Sequence, residues 1–177
     1  MARVVLINGA PGSGKSTVAH MLSTRCRMAL ALDVDQIKHS LGGWEEDPTA
    51  AGLHARRLAL ALVDEQLRSE HDLFVGQYLA RTDFIEALEG AAEHHSASFH
   101  EFVLDIEVDG LARRLQGRSE SPSRPEHAIN NRLVSPSDAG HLIRSLAGLR
   151  ISRPGAIWID ANGAPEETVA AISASVS

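Results

Sequence analysis

The sequence contains a single cysteine, Cys26. One cysteine cannot form an internal disulfide, and such a composition is typical of a reducing cytoplasm, the compartment that we expect for this chain. The chain also lacks a long hydrophobic run: residues 58–63 form one of its longest, whereas a transmembrane helix needs about 20 apolar residues. We therefore expect no membrane contact, and we interpret the apolar amino-terminal stretch as a strand rather than a signal segment.

Positive charge is also scarce. Lys and Arg together number 17 against 23 Asp and Glu, the net charge is −6, and no basic run exceeds two residues. Because proteins that bind a nucleic-acid backbone usually carry a basic patch, this balance favours a small-molecule substrate over nucleic acid.

With 177 residues, 44% of them hydrophobic, the chain is long enough to form one packed domain over 1–177. We expect this domain to act as a monomer or a homodimer.

What the sequence does contain is a glycine-rich motif, G-x-x-x-x-G-K-[ST], near its amino terminus. The motif consists of Gly9, Ala10, Pro11, Gly12, Ser13, Gly14, Lys15, Ser16 and Thr17. An apolar stretch before it predicts a buried strand, and residues 18–22 after it predict the start of a helix. In a strand–loop–helix of this kind, backbone N–H groups and the helix dipole bind phosphates. The lysine reaches the β- and γ-phosphates, and the serine hydroxyl ligates Mg²⁺. We therefore predict that these nine residues bind ATP, with Ser16 as a metal ligand.

Apolar and amphipathic stretches alternate along the rest of the chain. We predict further strands at 28–32, 72–76, 99–104 and 156–160, and helices starting near 36, 49, 82, 108, 125 and 165. In the long helix over 49–69, we expect Leu53, Leu60, Val63 and Leu67 to share the buried face. Strands joined by crossover helices predict a five-stranded parallel sheet covered on both faces, the three-layer α/β/α fold of P-loop NTPases.

Two carboxylates follow the second predicted strand, at Asp33 and Asp35. Ligands of open α/β sheets bind at the carboxyl ends of the strands, so one acid could accept a proton from an attacking hydroxyl while the other holds a metal. Either acid could instead cap the next helix. Beside a phosphate-binding loop we favour the functional interpretation: both acids contact substrate, and Asp33 joins Ser16 at the metal.

Three further residues are candidates for binding the substrate. Many P-loop enzymes hold Mg²⁺ with an Asp at the end of a strand, but the third predicted strand is followed by Gln77, which could hydrogen-bond the substrate. Arg81 could hold an anionic group, or it could simply be an exposed residue at the start of a helix. Trp44 lies after two glycines, where its ring could stack on a substrate ring or pack beneath its own loop.

Arginines concentrate after the fourth predicted strand, at Arg113, Arg114, Arg118 and Arg124. Arginines carried by a mobile lid can stabilise charge on a transferring phosphoryl group, and we expect such a lid over about 114–132. Helical spacing places Arg114 and Arg118 on one face, so we predict that both bind nucleotide, that Arg118 is catalytic and that Arg124 binds substrate. Arg113 is expected at the surface, and a solvated helix face paired with nearby acids is the alternative for the whole set.

The chain resembles the small P-loop kinases that phosphorylate hydroxyl groups of small molecules or nucleic-acid ends. These include chloramphenicol phosphotransferases, 5′-hydroxyl polynucleotide kinases, zeta toxins and gluconate kinases. The resemblance rests on residues 9–17, on 33–38, and on 105–118 followed by Pro125. It implies a nucleoside monophosphate kinase-like fold with a helical lid, in which Asp35 is the base and Arg118 the lid arginine. It also implies that Lys38 binds a substrate phosphate, whereas the strand-three acid of polynucleotide kinases is absent here.

Together these features predict an ATP- and Mg²⁺-dependent kinase. Asp35 would deprotonate a hydroxyl of a small molecule such as an antibiotic, a sugar or a nucleoside, while Lys15 and Arg118 neutralise the developing charge. An antibiotic acceptor would make the protein a resistance enzyme. One alternative is a kinase for polynucleotide 5′ ends or nucleotide sugars. Another is a nucleotide-dependent switch or ATPase module, although the strand-three acid and sensing glycine of a switch are not evident.

Overall fold

A computed structural model describes residues 1–120 and 134–176 of the chain. These residues form five strands and eight α-helices. The strands are β1 (Arg3–Asn8), β2 (Leu30–Leu32), β3 (Leu73–Gln77), β4 (Ser98–Asp105) and β5 (Ile157–Asp160). The helices are α1 (Lys15–Ser23), α2 (Val34–His39), α3 (Pro48–Arg68), α4 (Asp83–His94), α5 (Val108–Glu120), α6 (Ala139–Leu146), α7 (Leu149–Ser152) and α8 (Pro165–Ser175). A short 3₁₀ turn, Pro136–Asp138, precedes α6.

The strands form one sheet in the order β2-β3-β1-β4-β5, and every neighbouring pair is parallel. The central strand β1 pairs with β3 up to Asn8 and Gln77 and with β4 up to Asn8 and Val103. Because all strands run the same way, the loops after β1, β2 and β3 leave the same edge of the sheet. The predicted five-stranded parallel sheet is confirmed, and its topology brings the glycine-rich loop next to the acids after β2.

Helices cover both faces of the sheet. Along β1 the fully buried side chains alternate, with Val4 and Leu6 packing against the α3, α4 and α6 side. Val5 and Ile7 pack on the opposite side, against α1 and α8. The near-continuous apolar run in β1 is thus explained by burial on both faces, which parallel sheets require. The predicted three-layer α/β/α architecture is confirmed.

Two details differ from the sequence-based expectation. Strand β2 begins at Leu30 rather than at residue 28, because Met28 has a φ of 58°, which breaks the extended conformation. The predicted buried face of α3 is wrong at Leu53, which is 55% exposed. The face that packs on the sheet is instead Ala55, Ala59, Val63 and Leu67, since small alanines let the helix approach closely.

The predicted helix from Pro125, the candidate residue Arg124 and most of the predicted lid over 114–132 lie outside the described residues. Residues 114–120 of that span belong to α5, which continues four residues past the predicted end at 116. Within residues 1–120 and 134–176, no helix has both the length and the apolar character needed to cross a membrane.

Candidate active site

The glycine-rich loop leaves β1 and leads into α1 as the motif predicts. The backbone turns at Gly12 and Gly14, whose φ angles of 89° and 100° lie in the left-handed region that favours glycine. The N–H of Ser13 donates to the carbonyl of Ala10 at 3.0 Å, and α1 begins directly afterwards at Lys15. The amino terminus of α1 therefore sits behind the loop, with the unsatisfied N–H groups and positive dipole end that suit a phosphate.

Gly76 of β3 lies close to the backbone at the start of the same helix. A Cβ on Gly76 would lie 3.0 Å from the carbonyl oxygen of Lys15 and 3.0 Å from the Cα of Ser16. Strand β3 and the start of α1 can therefore approach this closely only because residue 76 lacks a side chain. Gly76 was not among the predicted site residues, although a glycine within a strand is a known signal for close backbone approach.

Asn8, the last residue of β1, fastens the loop to the chain after β3. Its side chain is fully buried. Its Oδ1 accepts from the N–H groups of Gly9 (2.8 Å) and Leu79 (2.9 Å), and its Nδ2 donates to the carbonyl of Leu79 at 2.8 Å. This residue was also missed, although a polar residue that ends an apolar strand directly before the motif was a usable signal.

Asp33 caps helix α2 and also contacts the glycine-rich loop, while its role toward a metal or a substrate stays a prediction. Its Oδ1 accepts from the N–H of Asp35 at 2.9 Å and caps α2, while its Oδ2 accepts from the hydroxyl of Ser16 at 3.0 Å. Burial and the neighbouring Asp35 charge raise the pKa of Asp33, against the opposing effects of its hydrogen bonds and of Lys15. The two predicted metal ligands, Ser16 and Asp33, are therefore in direct contact.

Lys15 lies in the same electrostatic neighbourhood. Its Nζ is 3.5 Å from the carbonyl of Ala10 at the start of the loop. The pKa of Lys15 lies below its ordinary value, chiefly because the side chain is buried. The carboxylates of Asp33 and Asp35 raise the pKa in part, and the charge of Arg118 lowers it. Burial also lowers the pKa of Arg118. The structure thus brings Lys15 within range of the charges of Asp35 and Arg118, the other two residues predicted to be catalytic.

Arg114, predicted to bind nucleotide, joins two parts of this site. Its guanidinium donates to the Ser13 carbonyl at 3.0 Å. It also donates to the carbonyls of Ala161, Asn162 and Gly163 in the turn after β5, at 2.7, 3.2 and 2.9 Å. The arginine therefore clamps the glycine-rich loop to that turn. Its role toward a nucleotide stays a prediction, whereas its neighbour Arg113 is exposed, as expected.

A cation and two aromatic rings lie together beyond Asp35, on helix α2 and in the turn that follows it. Asp35, Lys38 and His39 lie three and four positions apart and so share one face of the helix. The Nζ of Lys38 is 5.1 Å from the ring centroid of Trp44, and the His39 ring is 4.6 Å from it at a tilt of 49°. Trp44 is half-buried, so it packs against Lys38 and His39 and still keeps part of its surface accessible.

The two remaining predicted substrate residues have different surroundings. Gln77, only 8% exposed, directs its Oε1 to the N–H of Val34 at 3.2 Å and so touches the start of α2. Arg81 is 87% exposed and pairs with Asp83 at 3.3 Å, at the beginning of α4. The interpretation of Arg81 as a surface residue that opens a helix fits this geometry. Contact of either residue with a substrate stays a prediction.

The glycine-rich loop between a buried strand and a helix, on a five-stranded parallel sheet, defines an α/β protein of the P-loop nucleotide-binding class. Residues 4–134 match the family described as AAA domain, and the chain belongs to that family. No curated protein matches the chain.

Solved structures share the fold along nearly the whole chain. A tunicamycin resistance protein from Deinococcus radiodurans has a TM-score of 0.63 at 17% identity, covering 99% of this chain and 96% of that one. A gluconokinase from Sinorhizobium meliloti 1021 has a TM-score of 0.62 at 16% identity, covering 98% and 95%. A chain of the Pnkp1/Rnl/Hen1 RNA repair complex has a TM-score of 0.69 at 16% identity, over 85% of this chain and 46% of that one. The fold is therefore that of the small P-loop kinases.

Proposed function

We propose that this protein is an ATP-dependent phosphotransferase that transfers the γ-phosphoryl group of ATP to a hydroxyl group of a small molecule. The observation that carries the proposal is the 3.0 Å contact between Ser16 Oγ and Asp33 Oδ2. It joins the phosphate-binding loop to the acids after β2, two positions from Asp35. A carboxylate beside a triphosphate loop is what a kinase needs to activate a hydroxyl.

The residues at this contact fit a magnesium ion. Mg²⁺ prefers oxygen ligands and usually combines one or two carboxylates with water and substrate phosphates. Ser16 supplies a hydroxyl oxygen and Asp33 a carboxylate oxygen, and the two already lie at hydrogen-bond distance. We propose that both hold Mg²⁺ together with the phosphates of ATP. The ion, when bound, neutralises charge on the β- and γ-phosphates.

The protein side chains would then divide the work of transfer. Asp35 would orient the acceptor hydroxyl and take its proton. The hydroxyl oxygen would form a bond to the γ-phosphorus as the bond from that phosphorus to the β–γ bridging oxygen breaks, so that ADP leaves. Lys15 and Arg118 would stabilise the negative charge on the transferring group. The charges of Asp33, Asp35 and Arg118 all act on Lys15, which supports this grouping.

The acceptor would lie over α2, near Lys38 and Trp44. A half-buried aromatic ring beside a cation suits a hydroxylated ring compound. The net charge of −6 supports a small acceptor over a nucleic acid. The structural neighbours include a tunicamycin resistance protein and a gluconokinase, so an antibiotic or a sugar acid is the first acceptor to test. Among them is also a chain of an RNA repair complex, which makes a 5′-hydroxyl polynucleotide the second candidate.

The test is an acceptor screen with Mg²⁺ and ATP. Hydroxylated antibiotics, sugars including gluconate, nucleosides and short 5′-hydroxyl oligonucleotides are supplied singly, and ADP and phosphorylated product are measured. We expect one small-molecule class to raise ADP formation stoichiometrically with product. Asp35→Asn should lower that rate by about 10²–10⁴-fold because it removes the proton acceptor, while ATP affinity stays within about twofold, since the loop holds the triphosphate. A protein that makes ADP slowly with every compound and phosphorylates none would contradict the proposal.

A further inference from the structure

We infer that Gln77 is a positioning residue for phosphoryl transfer: it holds helix α2, and with it Asp35, through a hydrogen bond to the first N–H of that helix. The inference rests on the proposed function, because it assigns Gln77 a task in aiming the proposed base. It differs from the sequence-based expectation that Gln77 touches the substrate itself.

Gln77 lies between the glycine-rich loop and helix α2. It is the last residue of β3, which lies between β1 and β2 in the sheet. On one side its backbone faces Asn8, the residue before the glycine-rich loop. On the other side its Oε1 accepts from the N–H of Val34, the first residue of α2, at 3.2 Å. A single buried side chain therefore connects the edge of the sheet to the helix that carries Asp35.

Helix α2 depends on such contacts because it has only six residues. Isolated helices of this length are not stable in water, since the first turn is costly to form. The first N–H groups of any helix also lack partners within the helix. Here the N–H of Val34 is met by Gln77 and the N–H of Asp35 by Asp33. Asp35 belongs to this first turn, so these two bonds fix the backbone from which its carboxylate extends.

A neutral side chain suits this position better than an acid. Many P-loop enzymes end a strand with a metal-binding Asp, but here Asp33 and Asp35 already place two carboxylates beside each other. Asp33 also shares its oxygens between Ser16 and the cap of α2. An amide oxygen can hold Val34 without adding a third like charge. The last residue of β3 therefore holds helix α2, while the proposed Mg²⁺ site consists of Ser16 and Asp33.

The test compares Gln77→Met with Gln77→Glu in the full chain. Methionine keeps the length of the side chain and loses the acceptor, so amide hydrogen exchange over Val34–His39 should become about 5- to 150-fold faster, the effect of leaving a buried N–H unpaired. Turnover with the acceptor found in the screen should fall at least about tenfold, because small errors in alignment are costly to transfer. Affinity for a fluorescent ATP analogue should stay unchanged. Glutamate keeps an acceptor oxygen and should keep the exchange of α2 slow, while its added charge beside Asp33 and Asp35 should lower the melting temperature.

Gln66→Met is the matched control. Gln66 of α3 donates to the carbonyls of Met28 (2.8 Å) and Asp72 (3.0 Å), near the opposite end of β2 and β3. The same substitution there removes two hydrogen bonds and should lower the melting temperature. It should leave both the exchange of α2 and the turnover unchanged, which separates positioning from general stability.

Each outcome has a distinct meaning. If Gln77→Met leaves the exchange of α2 at the wild-type rate, or speeds it without lowering turnover, the inference is overturned and the proposed function stands. If Gln66→Met lowers turnover as much as Gln77→Met does, the effect is general destabilisation and the inference is again overturned. A wild-type protein that phosphorylates no acceptor removes the proposed function and the inference together.

Discussion

Replacing Gly76 with alanine tests the close approach of β3 to the start of α1. The new Cβ would lie 3.0 Å from the Lys15 carbonyl and the Ser16 Cα, whereas ordinary contacts lie at 3.4–4 Å. Both neighbours are backbone atoms, so β3 or the start of α1 must move. Overpacking of this kind costs about 1–3 kcal/mol, which for a chain of this size lowers the melting temperature by about 2–12 °C. If nucleotide binding restores the original loop, the same energy weakens ATP binding by about 5- to 150-fold.

Thermal unfolding and titration with a fluorescent ATP analogue measure the two effects of Gly76→Ala. The matched control is Gly90→Ala in α4, where an added Cβ meets no atom within 4 Å. There the better helix propensity of alanine should stabilise the protein by about 0.5–1 kcal/mol and leave ATP binding unchanged. A Gly76→Ala protein that is as stable as the wild type and binds ATP equally well would refute the close approach of β3 to the loop.

Two further substitutions probe buried charge. Because burial and Asp35 raise the pKa of Asp33, its ionised form opposes folding and stability rises as pH falls toward that pKa. Asp33→Asn should therefore increase the free energy of unfolding, measured in urea at pH 7. The ATP affinity of this variant should depend less on Mg²⁺ than that of the wild type. A lower free energy of unfolding would contradict the expected effect of the buried charge. Arg153 donates to Glu89 and to Glu101, whose side chain is 4% exposed, at 2.8 Å each. Arg153→Met should lower the free energy of unfolding by about 3–5 kcal/mol. The loss should become smaller at low pH, where Glu101 is protonated. A loss of stability that calorimetry finds independent of pH would argue against a buried Glu101 carboxylate.

Much of the fold followed from local patterns in the sequence. The motif at residues 9–17 combines glycine geometry with a strand and a helix whose periodicities are visible on either side. The order of strands and helices was predictable for the same reason. The packed face of α3 was not, because Leu53 is the more hydrophobic residue while Ala55 and Ala59 are the residues whose size fits the sheet. Only the neighbouring elements decide which face of a mixed helix is buried.

The supporting contacts of the site depend on residues that are distant in the sequence. Asn8 meets Leu79 across 71 positions, and Arg114 meets Ser13 across 101. The amide of Gln77 could have turned toward a substrate or toward α2, and the direction depends on where α2 begins. Sequence patterns identify which residues carry charge and polarity, whereas the sheet order determines which of them meet.

A structure of the protein with Mg²⁺ and a non-hydrolysable ATP analogue would show whether the glycine-rich loop and Asp35 face the same phosphate. The account predicts the triphosphate on the glycine-rich loop, with Mg²⁺ on Ser16 and Asp33. It also predicts space for a hydroxyl oxygen about 3–3.5 Å from the γ-phosphorus and about 2.6–3.2 Å from the carboxylate of Asp35. A triphosphate bound elsewhere, or an Asp35 carboxylate that points away from the γ-phosphate with no in-line path for an alcohol, would contradict it.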